Sequence, residues 1–195
     1  MKKIAVFASG NGSNFQSLIN ASNAGTLRCE ISLLVCDRPG AFAEERAEKA
    51  GIRCFSVSPK NFSDKAAYEQ AILEELRKEE TEFIVLAGYM RLIGPTLLHA
   101  YEGRIVNIHP SLLPAFPGKD AIGQALLAGA SVTGVTIHYV DEGMDTGPII
   151  ASREVKVEKG DTRESLQRRI QATEHALYPE VLEKLLNGTK ERIGL

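Results

Sequence analysis

Asn107-Ile108-His109-Pro110 sets two polar side chains of complementary chemistry two residues apart. On an extended backbone, positions i and i+2 point to the same side, so one pocket can hold both. An imidazole carries or releases a proton near neutral pH, and an amide can donate to an oxygen that becomes negative. Together these suit an acyl-transfer transition state. A structural histidine beside an asparagine turn fits the same spacing. A second cluster, Asp141-Glu142-Gly143-Met144-Asp145-Thr146-Gly147, gathers carboxylates on a loop spaced with glycines. A calcium loop begun at Asp141 would need glycine where Thr146 stands and a glutamate where Ser152 stands, so calcium is disfavoured. A carboxylate beside His109 would favour its protonated form. Alone, such a loop reads as a solvated acidic turn.

A third segment, Ser9-Gly10-Asn11-Gly12-Ser13-Asn14, lies between an apolar run and a helical pattern. Backbone N–H groups and the positive end of the helix can bind a phosphate there, with Ser13 and Asn14 expected to cap the helix and to donate to phosphate oxygens. Phe15 stands where a dinucleotide fingerprint needs its third glycine, and no Gly-Lys-Ser/Thr is present, so neither common nucleotide signature is met. A tight turn with a helix cap weighs equally. Gly88-Tyr89-Met90-Arg91-Leu92-Ile93 follows an apolar run directly and can line a cleft or form an ordinary loop. His138, in the alternating context Thr136-Ile137-His138-Tyr139, reads as a buried, hydrogen-bonded core residue, and His99 sits on an apolar helix face.

The elements that position these residues follow from apolar periodicity. Ile4–Ala8, Ile31–Cys36, Cys54–Val57, Phe83–Ala87 and Ile105–Ile108 are short apolar runs. Helical patterns separate the earlier ones: Phe15, Leu18 and Ile19 after the first, and Tyr68, Ile72, Leu73 and Leu76 along one face of Ser63–Glu80. Strands apolar on both faces and alternating with helices predict an α/β fold: a Rossmann-like, mostly parallel twisted sheet with helices on both faces. The rhythm then changes at Pro110, Pro114 and Pro117. Gly134–Val140 and Pro148–Val157 read as strands joined by a loop short enough for an antiparallel pair, giving an antiparallel strand toward the C-terminal half. Asp161-Thr162-x-Glu164 is expected to cap a last helix whose Leu166, Ile170, Leu177, Val181 and Leu185 face the core, with Pro179 kinking or interrupting it.

The 195 residues fit one domain, 1–195, better than two. The balance of 23 Lys plus Arg against 25 Asp plus Glu gives a charge of −2, which disfavours general nucleic-acid binding. A small anionic ligand held by local donors stays open. Ile4–Ala8 is too short for a secretory signal, and Ala121–Val140, though uncharged, carries too many polar residues and glycines for a membrane span. A cytoplasmic, membrane-free protein is expected. Cys29, Cys36 and Cys54 show no C-x-x-C pair and read as buried thiols.

In order and spacing, the phosphate loop, Ala87-Gly88-Tyr89-Met90-Arg91, Asn107-Ile108-His109-Pro110-Ser111-Leu112-Leu113-Pro114, and Gly134-Val135-Thr136 through Gly147-Pro148 resemble the folate-dependent formyltransferase family, in its glycinamide ribonucleotide branch. The resemblance covers almost the whole chain. It implies transfer of a formyl group from 10-formyltetrahydrofolate, a co-substrate, to the amine of glycinamide ribonucleotide in purine synthesis, without a metal or a tightly bound cofactor. It further implies that Asn107 and protonated His109 stabilise the oxyanion, with Asp145 paired to His109. Gly12, Ser13, Asn14, Phe15 and Gln16, completed by Gln171, Ala172, Thr173 and Glu174, would bind the ribonucleotide, so that the N-terminal part serves chiefly phosphate and ribonucleotide binding and the C-terminal part folate binding and catalysis. Met90, Arg91, Leu92, Ile93, Asn107, Asp141, Glu142, Gly143, Met144 and Asp145 would bind the folate, and Lys65 would meet its carboxylate tail. Leu113-Pro114 looks like the family's cis-proline turn. Phe116–Ala121 keeps the family's Pro-Gly turn, followed by Lys119-Asp120-Ala121-Ile122 where relatives vary. The implied partners are small molecules, with no nucleic acid, and a monomer or homodimer. A 10-formyltetrahydrofolate hydrolase, a methionyl-tRNA formyltransferase and a non-catalytic nucleotide-binding module are the alternatives.

Overall fold

A computed structural model describes residues 1–188. The strands are β1 (Lys2–Ala8), β2 (Cys29–Cys36), β3 (Arg53–Ser56), β4 (Phe83–Leu86), β5 (Ile105–His109), β6 (Val132–Tyr139) and β7 (Ile149–Lys156). The helices are α1 (Ser13–Asn23), α2 (Phe42–Lys49), α3 (Lys65–Lys78), α4 (Pro95–Ala100), α5 (Ala121–Leu127) and α6 (Arg163–Asn187). One sheet runs in the order β3-β2-β1-β4-β5-β6-β7. Pairs among β1 to β5 are parallel, while β5–β6 and β6–β7 are antiparallel, so β6 alone opposes the others.

Each central strand feeds two cores. Ile4, Val6 and Ala8 pack with Phe15, Leu18, Leu166 and Tyr178 from α1 and α6, while Ala5 and Phe7 pack with Tyr68, Ile72, Leu76 and Leu97 from α3 and α4. This is the double burial that continuous apolar strands require. Tyr178 is fully buried, and its hydroxyl donates to the Leu86 carbonyl at 2.8 Å, which locks α6 to the end of β4. Strand order reverses between β1 and β4, the place where open α/β sheets leave a crevice beyond their carboxyl ends. There Ser9 N donates to the Gly88 carbonyl at 3.1 Å and Met90 N donates to Ser9 Oγ at 2.8 Å, tying the two loops together.

Several local expectations are corrected. The last helix is not interrupted: α6 continues through the buried Pro179, because packing on α1, β6 and β7 outweighs one missing N–H bond. Its capping box closes between Thr162 and Ser165 rather than onto Glu164, and Leu186 is more deeply buried than Leu185. Neither Ser13 nor Asn14 caps α1, whose N-cap is Gly12 in a left-handed conformation (φ 72°). Cys54 is exposed on the edge strand β3, unlike Cys29 and Cys36, and His99 faces outward. Leu113-Pro114 is cis, as the resemblance implied. Among the described residues, no helix is long and apolar enough to cross a membrane.

Candidate active site

The crevice is a cleft of about 810 Å³, lined by the loops after β1, β4 and β5, the acidic loop before β7, and one face of α6. Alternation along β5 determines what enters it. Val106 and Ile108 go to the α1/α6 core, whereas Asn107 and His109 share the face of Ile105, which packs under α4. The strand runs out beyond that cover, so the last two positions on this face can be polar. On β6, antiparallel pairing sets His138 opposite Asn107 and Thr136 opposite His109.

One carboxylate joins these strands. Asp145 Oδ2 lies 3.5 Å from His109 Nδ1, and Asp145 Oδ1 lies 3.7 Å from His138 Nε2. Asp145 has a positive φ of 57° and accepts from Gly118 N at 2.8 Å, which turns its side chain inward although its neighbours Asp141 to Met144 and Thr146 are exposed. The Asp145 side chain is 12% exposed, against 7% for His109 and 3% for His138. At that depth solvent screens little, and a positive charge on His109 is met directly by the carboxylate. His109 Nε2 donates to the Phe116 carbonyl at 2.9 Å, since a carbonyl can only accept. Both ring nitrogens of His109 therefore face protein oxygens. His138 Nδ1 lies 2.8 Å from the Tyr139 carbonyl, and its Nε2 lies 3.3 Å from Asn107 Nδ2.

At the other end of the cleft, Gly12 begins α1 without a side-chain cap, leaving N–H groups of the first helical turn for a ligand. Glycine is required at this position: with φ at 72°, a Cβ would stand 2.9 Å from that of Ala43. Helix α2 holds the loop from behind. Arg46 Nε and Nη2 donate to the backbone and side-chain oxygens of Asn11 at 2.8 and 3.0 Å, and Nη1 donates to Gln16 Oε1 at 3.0 Å. From α6, Glu174 reaches the loop and accepts from Asn14 Nδ2 at 3.2 Å. Burial pushes the Glu174 carboxyl up to about 7, opposed by the Asn14 bond. Asn14 Oδ1 is buried without a partner.

The cleft gathers Gly12, Ser13, Asn14, Met90, Arg91, Leu92, Ile93, Asn107, His109, Asp141, Gly143, Met144, Asp145, Gln171 and Glu174. It leaves out the rest of the sequence-derived set. The Phe15 side chain is fully buried in the core, and Gln16 is engaged with Arg46 and Asn20. Ala172 is exposed, Thr173 bonds back to the Arg169 carbonyl, Glu142 faces solvent, and Lys65 is exposed at the start of α3 outside the cleft lining. Asp141 serves its own loop, accepting from Gly143 N at 3.0 Å and Thr146 Oγ1 at 2.7 Å. The sequence reading missed His138 as a site residue, along with Arg38, Arg163 and Gln167, which also line the cleft. For His138 a signal existed: it has the alternation of a strand, and the correct antiparallel register would have set it against Asn107.

Comparison with known proteins gives a consistent result. The formyl transferase family matches residues 2–182. The chain is 57% identical over 186 residues to phosphoribosylglycinamide formyltransferase of Bacillus subtilis (strain 168), covering 95% of each. It is 42% identical over 195 residues to the trifunctional purine biosynthetic protein adenosine-3 of Drosophila pseudoobscura pseudoobscura, where the match covers 99% of this chain and 14% of that protein. The fold superposes with a TM-score of 0.94 on glycinamide ribonucleotide transformylase 1 from Geobacillus kaustophilus, at 61% identity, covering 96% of this chain and 100% of that one.

Proposed function

The chain belongs to the formyl transferase family, and from that membership we propose that its cleft moves a formyl group from 10-formyltetrahydrofolate to the amine of glycinamide ribonucleotide in purine biosynthesis. The observation that carries the chemistry is Asp145 set against His109 beside Asn107, at the same sheet edge as an uncapped helix N-terminus. One end of the cleft is suited to a phosphate and the other to a developing oxyanion, and a single bound pair of substrates spans both.

The amine nitrogen attacks the formyl carbon, forming a C–N bond while the carbonyl electron pair moves onto oxygen. Asn107 donates an amide N–H to that oxygen, and His109 adds a charged donor whose positive charge Asp145 supports. For His109 Nε2 to reach the formyl oxygen, its present bond to the Phe116 carbonyl is exchanged for the substrate. The tetrahedral species collapses by breaking the bond from carbon to the folate nitrogen. That nitrogen takes up a proton, the attacking amine loses one, and tetrahydrofolate leaves. Orientation does much of the work, because holding two reactants in contact replaces a bimolecular encounter.

Backbone donors at Gly12, Ser13 and Asn14 hold the phosphate, while Glu174 and Gln171 face the ribose. Met90 to Ile93 and the Asp141–Asp145 loop flank the folate. Incubation with both substrates tests the proposal: formylated ribonucleotide should appear in step with tetrahydrofolate. Formate released to water without formylated product, or binding of both ligands without turnover, would overturn it.

A further inference from the structure

We infer that His138 is a positioning residue for the transfer, its Nε2 lone pair setting which way the Asn107 amide faces. The inference rests on Asn107 donating to the formyl oxygen, as proposed above, and names what aims that donor. Asn107 and His138 are directly opposed across the β5–β6 ladder. His138 Nδ1 lies 2.8 Å from the Tyr139 carbonyl, which can only accept, so the ring proton sits on Nδ1. In the neutral ring Nε2 is then an acceptor, and the Asn107 side-chain nitrogen stands 3.3 Å from it.

An asparagine amide carries its donor and its acceptor on opposite edges of one plane. With one N–H committed to His138, the second N–H is the group left for a substrate oxygen. The flipped amide would turn an oxygen lone pair onto the Nε2 lone pair. His138 is 2% exposed, so no bulk solvent relieves that clash. The groups facing this ring are the Tyr139 carbonyl, Asn107 and Asp145. Asp145 stays at 3.7 Å, too far for a hydrogen bond, and its other oxygen is engaged by Gly118.

The Gln and Asn variants separate positioning from general structural support, because glutamine places a polar atom near the Nε2 position and asparagine near Nδ1. His138→Gln can still accept from Asn107, while His138→Asn cannot. In steady-state formyl transfer, His138→Asn should lower kcat about 100-fold with KM for both substrates nearly unchanged, and His138→Gln should stay within about tenfold of the native enzyme. Asn107→Ala should lose a similar factor, and the double variant Asn107→Ala with His138→Asn should be no slower than Asn107→Ala alone. Independently of activity, nitrogen NMR of the native enzyme should show His138 protonated at Nδ1 and bare at Nε2. A proton on Nε2, equal losses in the Gln and Asn variants, or full kcat in His138→Asn would overturn the inference. Full kcat in Asn107→Ala would instead remove the proposed role of Asn107, and this inference with it.

Discussion

Glu174→Gln should make this protein more stable and less able to hold its ribonucleotide. Glu174 is 7% exposed, and its side-chain hydrogen bond is to Asn14. Burial raises its pKa from the ordinary 4.5 to about 7. The folded protein therefore keeps, between those values, a proton that the unfolded chain has already released. Stability must fall as pH rises through that window and level off above it. At 1.36 kcal/mol per tenfold, ionising Glu174 in the folded state costs about 3 kcal/mol by pH 8. Glutamine keeps an oxygen to accept from Asn14 and never ionises. The variant should therefore match the native chain near pH 4.5 and exceed it by up to about 3 kcal/mol at pH 8, a rise in Tm of about 6–12 °C for a chain of this size.

Urea unfolding at intervals from pH 4.5 to 8.5 measures this directly. Ionisations of groups common to both proteins cancel in the difference. Parallel stability curves for the two proteins would refute the reasoning, since they would mean that Glu174 releases its proton alike in the folded and unfolded states. The functional counterpart is a KM for the ribonucleotide that falls as pH rises through about 7, because an ionised carboxylate accepts ribose hydroxyls more strongly than a carboxylic acid does. In Glu174→Gln that dependence should vanish, with KM at pH 8 about fivefold higher, the difference between a charge-assisted and a neutral hydrogen bond.

Three further outcomes follow from the same geometry. His109→Ala and Asp145→Asn should each lower single-turnover formyl transfer by about 100-fold or more, with circular dichroism unchanged, and a near-normal rate for either would remove the role given to that residue. Gly12→Ala puts a Cβ 2.9 Å from that of Ala43 at a left-handed φ, so thermal unfolding should reveal a loss of about 1–3 kcal/mol together with weaker ribonucleotide binding. Arg46→Ala frees Asn11 from two hydrogen bonds, and isothermal titration should show about tenfold weaker ribonucleotide binding with folate affinity unchanged. Equal weakening of both ligands would instead mean that α2 supports the whole cleft.

What could be read in advance was whatever a contiguous stretch of chain decides. Runs such as Ile4–Ala8 are apolar on both faces because both faces are covered, so the alternation of strands and helices was visible; the strand order, and with it the crevice where that order reverses, depends on pairing between distant runs. Asn107 and His109 share a face because they are two apart on a strand, which needs no tertiary knowledge. A helix resists such a reading by adjacency. Ser13 and Asn14 line the cleft, but at Phe15 the turn carries the side chain into the core, and at Gln16 it carries it to Arg46. The same rotation separates Gln171 and Glu174, which line the cleft, from Ala172 and Thr173 between them. The contacts that make the centre depend on pairing between distant segments. Asp145 looks like one carboxylate in a solvated turn until its backbone conformation and the Gly118 N–H bring it between two imidazoles. His138 looks like a core residue, and it is buried, but a shift of one residue between β5 and β6 would send its ring to the opposite face. The register that hides an apolar face against α1 and α6 thus also selects which histidine meets Asn107, so packing and chemistry at this site are settled by one ladder of hydrogen bonds.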